Sequence, residues 1–144
     1  MAYDLARVRE RIQHIETNLA RLETLRQLPR DEFLADFRNV AAAKHLLQTS
    51  LEAMMDIGAH ILARQRLPTP QEGAGIFRQL GEAGLLLPER VQTYVQMVRF
   101  RNLVVHLYQE VDADRVYDIL QSDLGDLRGF IAEVWGIVGN AAEE

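Results

Sequence analysis

The chain of 144 residues contains no cysteine. It therefore forms no disulfide, has no thiolate nucleophile and cannot hold zinc through cysteine ligands. Other familiar signatures are missing too: the sequence has no paired-histidine metal motif, no phosphate-binding P-loop and no GxSxG nucleophile elbow. These absences exclude thiol catalysis and leave no sequence support for the commonest metal-dependent, nucleotide-hydrolysing and serine-hydrolase designs.

Long hydrophobic runs are absent as well. The first residues, Met1 to Arg7, become charged at once and lack the apolar core of a signal peptide, and no stretch approaches the length of a membrane span. Because no cysteine favours an oxidising compartment, the sequence predicts a soluble, cytoplasmic protein. Its length fits one domain, residues 1–144, that can bury a sizeable core.

Positive charge is scarce, and lysine is almost missing. The formal net charge of -5 argues against a broad electrostatic grip on nucleic acid, because non-specific affinity comes mainly from neutralising phosphates. Of the 16 basic residues only Lys44 is a lysine, and arginine favours directional, bidentate contacts with carboxylate or phosphate. A local anion site is therefore still possible. Its candidate basic rim consists of Arg64, Arg66, Arg78, Arg90 and Arg99.

Helical periodicity runs through most of the chain. Apolar residues recur every three or four positions, the spacing of helices packed in a bundle, and no segment alternates like a strand. The predicted elements are a helix over residues 3 to 27, a second from Glu32 to about Gln65 whose stripe includes Phe33 and Phe37, a long loop from Arg66 to Gly75, a short helix from Ile76 to Ala83 closed by Gly84, a third long helix with Pro88 in its first turn, and a last helix capped by Asp112 or Asp114. The predicted fold class is all-α, an antiparallel bundle of four long helices plus one short helix.

The third long helix carries a cluster of polar residues. The run from Arg99 to Tyr108 places two cations, an amide, an imidazole and a phenol in an otherwise apolar segment. Arg101 lies in the middle of one helical stripe, which also contains Tyr94, Val98, Val105 and Tyr108.

Arg101 poses a physical problem at that position, because an unpaired guanidinium is expensive to bury. Three arrangements are open: a carboxylate partner, a side chain that snorkels to solvent, or a cleft that receives an anion. Glu52 and Asp56 on the second helix are candidate partners of Arg99 or Arg101, although both can also simply face water.

His106 and Asn102 share a face of the helix, whereas His106 and Arg101 are about 140° apart around it. Either the helix ends near His106, or a second copy of the chain completes the site across a symmetric interface. His106 could then move a proton, Arg101 could stabilise charge on a phosphorus centre, and Asn102 could orient the imidazole or bind the phosphate. Taken alone, the commoner role of such an Arg and His is that of a satisfied structural pair.

The pattern Arg101-x4-His106-x-Tyr108, with Asn102 beside Arg101, resembles the hallmark of the HEPN superfamily and, in its three-part form, that of the HepT toxins. The segment from Ser50 to His60 is similar to the family's second helix. The segment from Leu80 to Leu86 resembles the turn before the family's motif helix.

The resemblance implies a HEPN-fold homodimer that acts as a ribonuclease toxin without metal or cofactor. Arg101 and His106 of each subunit, aided by Asn102, would meet at a cleft and cleave RNA, such as tRNA or mRNA. The 2′-hydroxyl would attack the adjacent phosphorus, leaving a 2′,3′-cyclic phosphate and a 5′-hydroxyl.

The resemblance also implies a protein partner, a minimal nucleotidyltransferase antitoxin of the MntA type. This partner would neutralise the toxin by transferring AMP to Tyr108, where a bulky anionic group beside Arg101 competes with RNA phosphate. The alternative is a non-catalytic HEPN subunit that binds a nucleotide, or a nucleotidyltransferase, through the same cleft. A purely structural helical bundle is the third possibility.

Overall fold

The computed structural model describes residues 3–106 and 112–143, without the side chains of residues 105, 106 and 140–143. Over these ranges the chain forms seven α-helices and no β-strand. The helices are α1 (Leu5–Arg26), α2 (Arg30–Ala35), α3 (Phe37–Arg64), α4 (Gly73–Glu82), α5 (Pro88–His106), α6 (Ala113–Ser122) and α7 (Leu124–Glu143). The predicted all-α fold class is confirmed.

The two long helices α1 and α3 form an antiparallel pair. At one end, His60 of α3 accepts a hydrogen bond from the backbone N–H of Asp4, just before α1 begins. Farther along the pair, the buried Asn18 donates to the hydroxyls of Thr49 and Ser50, at 2.9 and 3.0 Å. Because the partners on α3 come earlier in the chain as the position on α1 advances, these contacts fix both the direction and the register of the pair.

The predicted second helix is divided in two at Asp36. This residue has an extended backbone, φ -118° and ψ 109°, and its carboxylate accepts from the N–H of Arg38 at 3.0 Å. Aspartate is a strong N-cap because its short side chain satisfies a free helix donor, and here it starts a new helix inside an apolar pattern. Phe37 therefore leaves the buried stripe and is 80% exposed.

The predicted last helix is also divided, at Asp123. The carboxylate of Asp112, one of the two expected caps, accepts from the N–H of Asp114 and starts α6. Asp123 ends that helix with φ -113°, and α7 begins at the next residue. Aspartate is a weak helix former, and Leu120, Leu124 and Leu127, on either side of the break, lie in one core.

The short helix α4 turns sharply into α5. It starts at Gly73, three residues earlier than predicted, and Gly84 follows its end as expected with a left-handed φ of 76°. This conformation suits glycine at a helix C-terminus and lets the N–H of Leu85 bond back to the carbonyl of Leu80 at 3.0 Å. The turn brings α5 back along α4.

An aromatic cluster joins α4, α5 and α7. The rings of Phe77, Tyr94 and Phe130 are fully buried, with centroids 5.3 to 5.9 Å apart in tilted and edge-on contacts. Aromatic pairs at these separations add to the stabilisation by buried area. The cluster thus fixes α5, the helix that carries the polar segment, against the rest of the bundle.

None of the helices in the described ranges combines the length and apolar character that a membrane crossing requires.

Candidate functional site

The candidate site lies in the second half of α5. The helix has Pro88 as its first residue, which suits an N-terminal position because proline lacks the N–H that a helix start leaves unused. One stripe of α5 then enters the core through Tyr94 and Val98, both almost completely buried. Arg101 continues that stripe where α5 lies against α3, so a charged group stands at the edge of the core.

Arg101 has a carboxylate partner, the first of the three arrangements that the sequence left open. Its Nη2 lies 3.3 Å from Oε1 of Glu52 on α3, and only 21% of the Arg101 side chain is exposed. Of the alternatives that the sequence left open for Glu52, the structure shows pairing with Arg101. Asp56, the other candidate, contacts Arg11 of α1 instead, at 3.6 Å.

Two further contacts surround the ion pair. Gln48, one turn before Glu52 on α3, donates from its side-chain amide to the same Oε1 at 3.1 Å. On the other side, Nη1 of Arg101 donates to the Oδ1 of Asn102 at 2.9 Å. The Nε of Arg101 is buried and has no hydrogen-bond partner among the described residues. The guanidinium is therefore held from two sides.

The structure brings only part of the predicted site together. Arg101 and Asn102 are in contact, and Asn102 is exposed. His106 is the last residue of α5, but its side chain lies outside the described part, and Tyr108 lies outside the described residues altogether. The pairing of Arg101 with His106 and the modification of Tyr108 therefore stay predictions.

Gln48 is not among the site residues predicted from the sequence. Its signal was present, because Gln48 and Glu52 are four residues apart and share a helical face, but a glutamine at that spacing is common on exposed helix surfaces. Only the approach of α5 to α3 gives this pair a charged neighbour.

The predicted basic rim needs one correction. Arg90 does not offer a free charge, because its guanidinium contacts Glu133 at 3.3 Å and Asp126 at 3.8 Å on α7. Its charge is used between helices, where two carboxylates compensate it. The remaining members of the predicted rim are all exposed: Arg64, Arg66, Arg78 and Arg99.

A cavity of about 340 Å³ lies on another side of α5, against α3, α6 and α7. Its lining includes Met97, Phe100 and Arg115 but not Arg101. Asp123 also lines it, and burial together with the charge of Asp126 raises the pKa of the Asp123 carboxyl. With Asp123 and Asp126 against the single cation of Arg115, the lining has a net negative formal charge and is poorly suited to phosphate, so the candidate anion site remains at Arg101.

Over the described ranges, no group of three or more histidine, aspartate or glutamate residues is arranged to hold a metal ion. The chemistry available at the site is that of a guanidinium, an amide and, by prediction, an imidazole. These groups can bind an anion, stabilise negative charge and move a proton.

Sequence comparisons relate the chain to a family of ribonucleases. The family model described as "Ribonuclease HepT-like" matches residues 15–134. The chain is 34% identical over 100 residues to the mRNA nuclease HepT of Shewanella oneidensis, covering 69% of this chain and 75% of that protein. It is 26% identical over 110 residues to the tRNA nuclease HepT of Aphanizomenon flos-aquae, covering 76% and 75%.

Solved structures of other proteins also resemble this chain. A structure described as the tri-AMPylated Shewanella oneidensis HEPN toxin in complex with MNT antitoxin superposes with a TM-score of 0.84 at 28% identity, over 90% of this chain and 97% of that one. The cytosolic protein of unknown function YutE from Bacillus subtilis superposes with a TM-score of 0.82 at 15% identity, over 98% and 95% of the two chains. This second similarity concerns the fold alone.

Proposed function

We propose, for a chain that belongs to the HepT-like ribonuclease family, that it is the endoribonuclease toxin of a toxin–antitoxin system whose antitoxin is a minimal nucleotidyltransferase. The observation that supports this most is the guanidinium of Arg101, which is held at the edge of the core by Glu52 and Asn102. A cation kept in place without full burial is suited to bind the charge of a phosphate. Membership in a ribonuclease family supports RNA as the source of that phosphate.

The proposed reaction uses a nucleophile that the substrate carries. The imidazole of His106 takes the proton from a ribose 2′-hydroxyl, and the freed oxygen attacks the adjacent phosphorus. Arg101 stabilises the negative charge that develops on the phosphoryl oxygens, and Asn102 binds the phosphate or orients the imidazole. The bond from phosphorus to the 5′-oxygen breaks and that oxygen is protonated, leaving a 2′,3′-cyclic phosphate and a 5′-hydroxyl. This route requires no metal or cofactor.

We propose further that the working form is a homodimer in the cytoplasm. Arg101 and His106 diverge by about 140° around α5, so one straight helix does not direct both at one phosphate. A two-fold axis next to the end of α5 would let two copies of the motif form one cleft.

Regulation would act on the same cleft. The partner antitoxin, a nucleotidyltransferase of the MntA type, would attach AMP to the hydroxyl of Tyr108, two residues beyond His106. The added phosphate is an anion that competes with RNA for Arg101. The solved complex of the Shewanella oneidensis toxin, which is described as tri-AMPylated and bound to MNT antitoxin, supports this proposal by similarity.

The experiment is RNA cleavage in EDTA by purified wild type, Arg101→Ala and His106→Ala. The intact mass of each protein is recorded first, so that only chains without a nucleotide on Tyr108 are compared. We expect wild-type cleavage of tRNA or total cellular RNA with cyclic-phosphate ends, and a loss of about 10²-fold or more in each variant, typical of removing a charge-stabilising or proton-moving group.

Arg21→Ala is the matched control, because Arg21 is an exposed arginine on α1 that belongs neither to the candidate site nor to the predicted basic rim. It should retain most of the activity. If unmodified wild type cleaves none of these RNAs but binds a nucleotide or a nucleotidyltransferase, the non-catalytic alternative replaces the toxin. Cleavage that persists in His106→Ala would contradict the assigned role of the imidazole.

A further inference from the structure

We infer that Glu52 is a positioning residue for the proposed reaction: through its carboxylate, which Gln48 holds from behind, it fixes the orientation in which Arg101 meets the phosphate. This inference rests on the proposed function, which it deepens by assigning a role to α3. The contacts of the guanidinium nitrogens carry it.

Each nitrogen of Arg101 has a different environment. Nη2 is taken by Glu52 and Nη1 by Asn102, at 3.3 and 2.9 Å, while Nε is buried without a hydrogen-bond partner among the described residues. A buried, unused donor costs free energy and persists only where surrounding contacts hold the group in place. Among the described residues, Glu52 is the hydrogen-bond partner that reaches Arg101 from a separate helix.

The carboxylate is itself held in place. Oε1 of Glu52 receives the amide of Gln48 at 3.1 Å as well as Nη2 of Arg101. Both residues stand on α3, which packs along α1 over most of its length, so the anchor belongs to a rigid part of the bundle. A functional group is positioned most accurately when its supporting contacts come from such elements.

The charges predict how the loss of Glu52 divides between binding and turnover. Without the carboxylate, the partly buried Arg101 is uncompensated, and its long side chain turns toward solvent. Removing the carboxylate also makes the local net charge more positive by one, which favours RNA binding. We therefore expect kcat to fall by about tenfold or more in Glu52→Ala, with KM unchanged or lower. Small displacements of a reacting group produce effects of this size.

Asp56 provides a matched control on the same helix. It lies one turn after Glu52 and pairs with an arginine of another helix, Arg11, at 3.6 Å, and both side chains are about half exposed. Asp56→Ala removes an ion pair between helices without touching Arg101. A structural effect of losing such a pair would affect both variants, whereas a positioning effect would appear only in Glu52→Ala.

The test compares wild type, Glu52→Ala, Glu52→Gln and Asp56→Ala by steady-state kinetics and thermal unfolding. Glu52→Gln keeps the size of the side chain and an oxygen that can accept from Nη2, so it should retain more kcat than Glu52→Ala. It is the deciding variant if Glu52→Ala unfolds at the assay temperature. A Glu52→Ala protein that is folded and has wild-type kcat would overturn the inference.

A second measurement does not need ribonuclease activity. The Nε–Hε signal of Arg101 in a ¹H–¹⁵N NMR spectrum is assigned by its disappearance in Arg101→Lys. We expect slow exchange with water in wild type and Asp56→Ala, because Nε is buried, and exchange about tenfold faster or more in Glu52→Ala. Unchanged exchange in Glu52→Ala would refute the positioning role. The expected change in a protein that cleaves no RNA would support the positioning role and refute only the proposed function.

Discussion

Arg90 and Arg101 stand near opposite ends of α5, and each pairs with a carboxylate from another helix. Arg90 has two, Asp126 and Glu133, and its guanidinium also lies 5.6 Å from the ring centre of Tyr94. Arg101 has the carboxylate of Glu52 and an exposed asparagine. Because Arg90 is compensated by two charges and Arg101 by one, Arg101 is the one of the two suited to receive a further anion.

Burial also lowers the pKa of a histidine remote from the site, His60. His60 accepts a hydrogen bond from the N–H of Asp4 at 3.1 Å. Burial, and then the charges of Arg64 and Arg7, lower the pKa of His60, while the charge of Asp4 acts in the opposite direction. The folded protein therefore favours the neutral imidazole that can accept this bond.

A pH dependence of stability follows. An unfolded histidine titrates near pH 6.5, and a lowered pKa in the folded state means that the unfolded chain binds more protons below that pH. The contribution of the neutral His60 to folding stability is therefore complete above the pKa of the unfolded state. It is lost as the pH falls toward the pKa of the folded state. We expect the free energy of unfolding in urea to decrease between about pH 7.5 and 5.5, and to decrease less in His60→Gln.

His45→Gln is the control for that experiment, since His45 is exposed on the same helix. It should leave the wild-type pH dependence unchanged. An identical pH dependence in wild type and His60→Gln would show that burial of His60 does not govern the effect.

At the scale of elements, the two helix breaks illustrate the limit of periodicity. Apolar spacing runs across Asp36 and Asp123, so the sequence predicted continuous helices at both places. At the first break, the carboxylate of Asp36 satisfies a free N–H at the start of α3. At the second break, α6 ends at Asp123 and α7 begins at the next residue. The spacing alone cannot reveal that a side chain will bind its own backbone rather than point to solvent.

The packing of α5 on α7 depends on a position without a side chain. A Cβ at Gly129 would lie 1.4 Å from Nη2 of Arg90, so the guanidinium occupies the space that any larger residue would fill. At Gly136, farther along α7, a Cβ would meet nothing within 4 Å. The two glycines therefore form a matched pair on one helix.

Alanine should change the stability differently at these two positions. Gly136→Ala should stabilise the protein by about 0.5–1 kcal/mol, because alanine reduces the entropy of the unfolded chain. Gly129→Ala should be less stable than Gly136→Ala by about 1–2 kcal/mol, because Arg90 must leave its carboxylates. Urea unfolding of both variants measures the difference. Equal stabilisation by the two substitutions would show that the Arg90 contacts add little.

At the scale of the whole molecule, the proposed cleft makes a prediction about subunits. If the cleft holds two catalytic pairs, each combining Arg101 of one copy with His106 of the other, mixing inactive Arg101→Ala and His106→Ala chains restores one of the two pairs in each mixed dimer. Random exchange at equal amounts should then recover about a quarter of the wild-type activity.

The chains are mixed after brief unfolding and refolding together, and dimers are confirmed by sedimentation. Refolded wild type and each refolded variant alone are the controls. Recovery near zero in confirmed mixed dimers would show that each Arg101 works with the His106 of its own chain, or that the copies act separately.

The net charge of -5 also applies to the whole molecule. Several arginines are used within the fold: Arg30 pairs with Asp114 and Asp118, Arg128 with Glu23, and Arg90 with α7. These ion pairs reduce the number of arginines left for RNA in a chain whose net charge is already negative. Binding of the proposed substrate should therefore depend on a small number of directional contacts more than on a broad field.

The sequence by itself determined the all-α class, the glycine-ended turn before α5 and the polar segment on that helix, because helical periodicity and turn chemistry are local properties. It also limited the arrangements open to Arg101 to three: a carboxylate partner, a side chain that snorkels to solvent, or a cleft that receives an anion. Only the tertiary structure selected Glu52 as that partner, placed Gln48 beside it and paired Arg90 with carboxylates of α7. Those outcomes depend on which faces of α3, α5 and α7 meet, and packing between helices distant in sequence decides that.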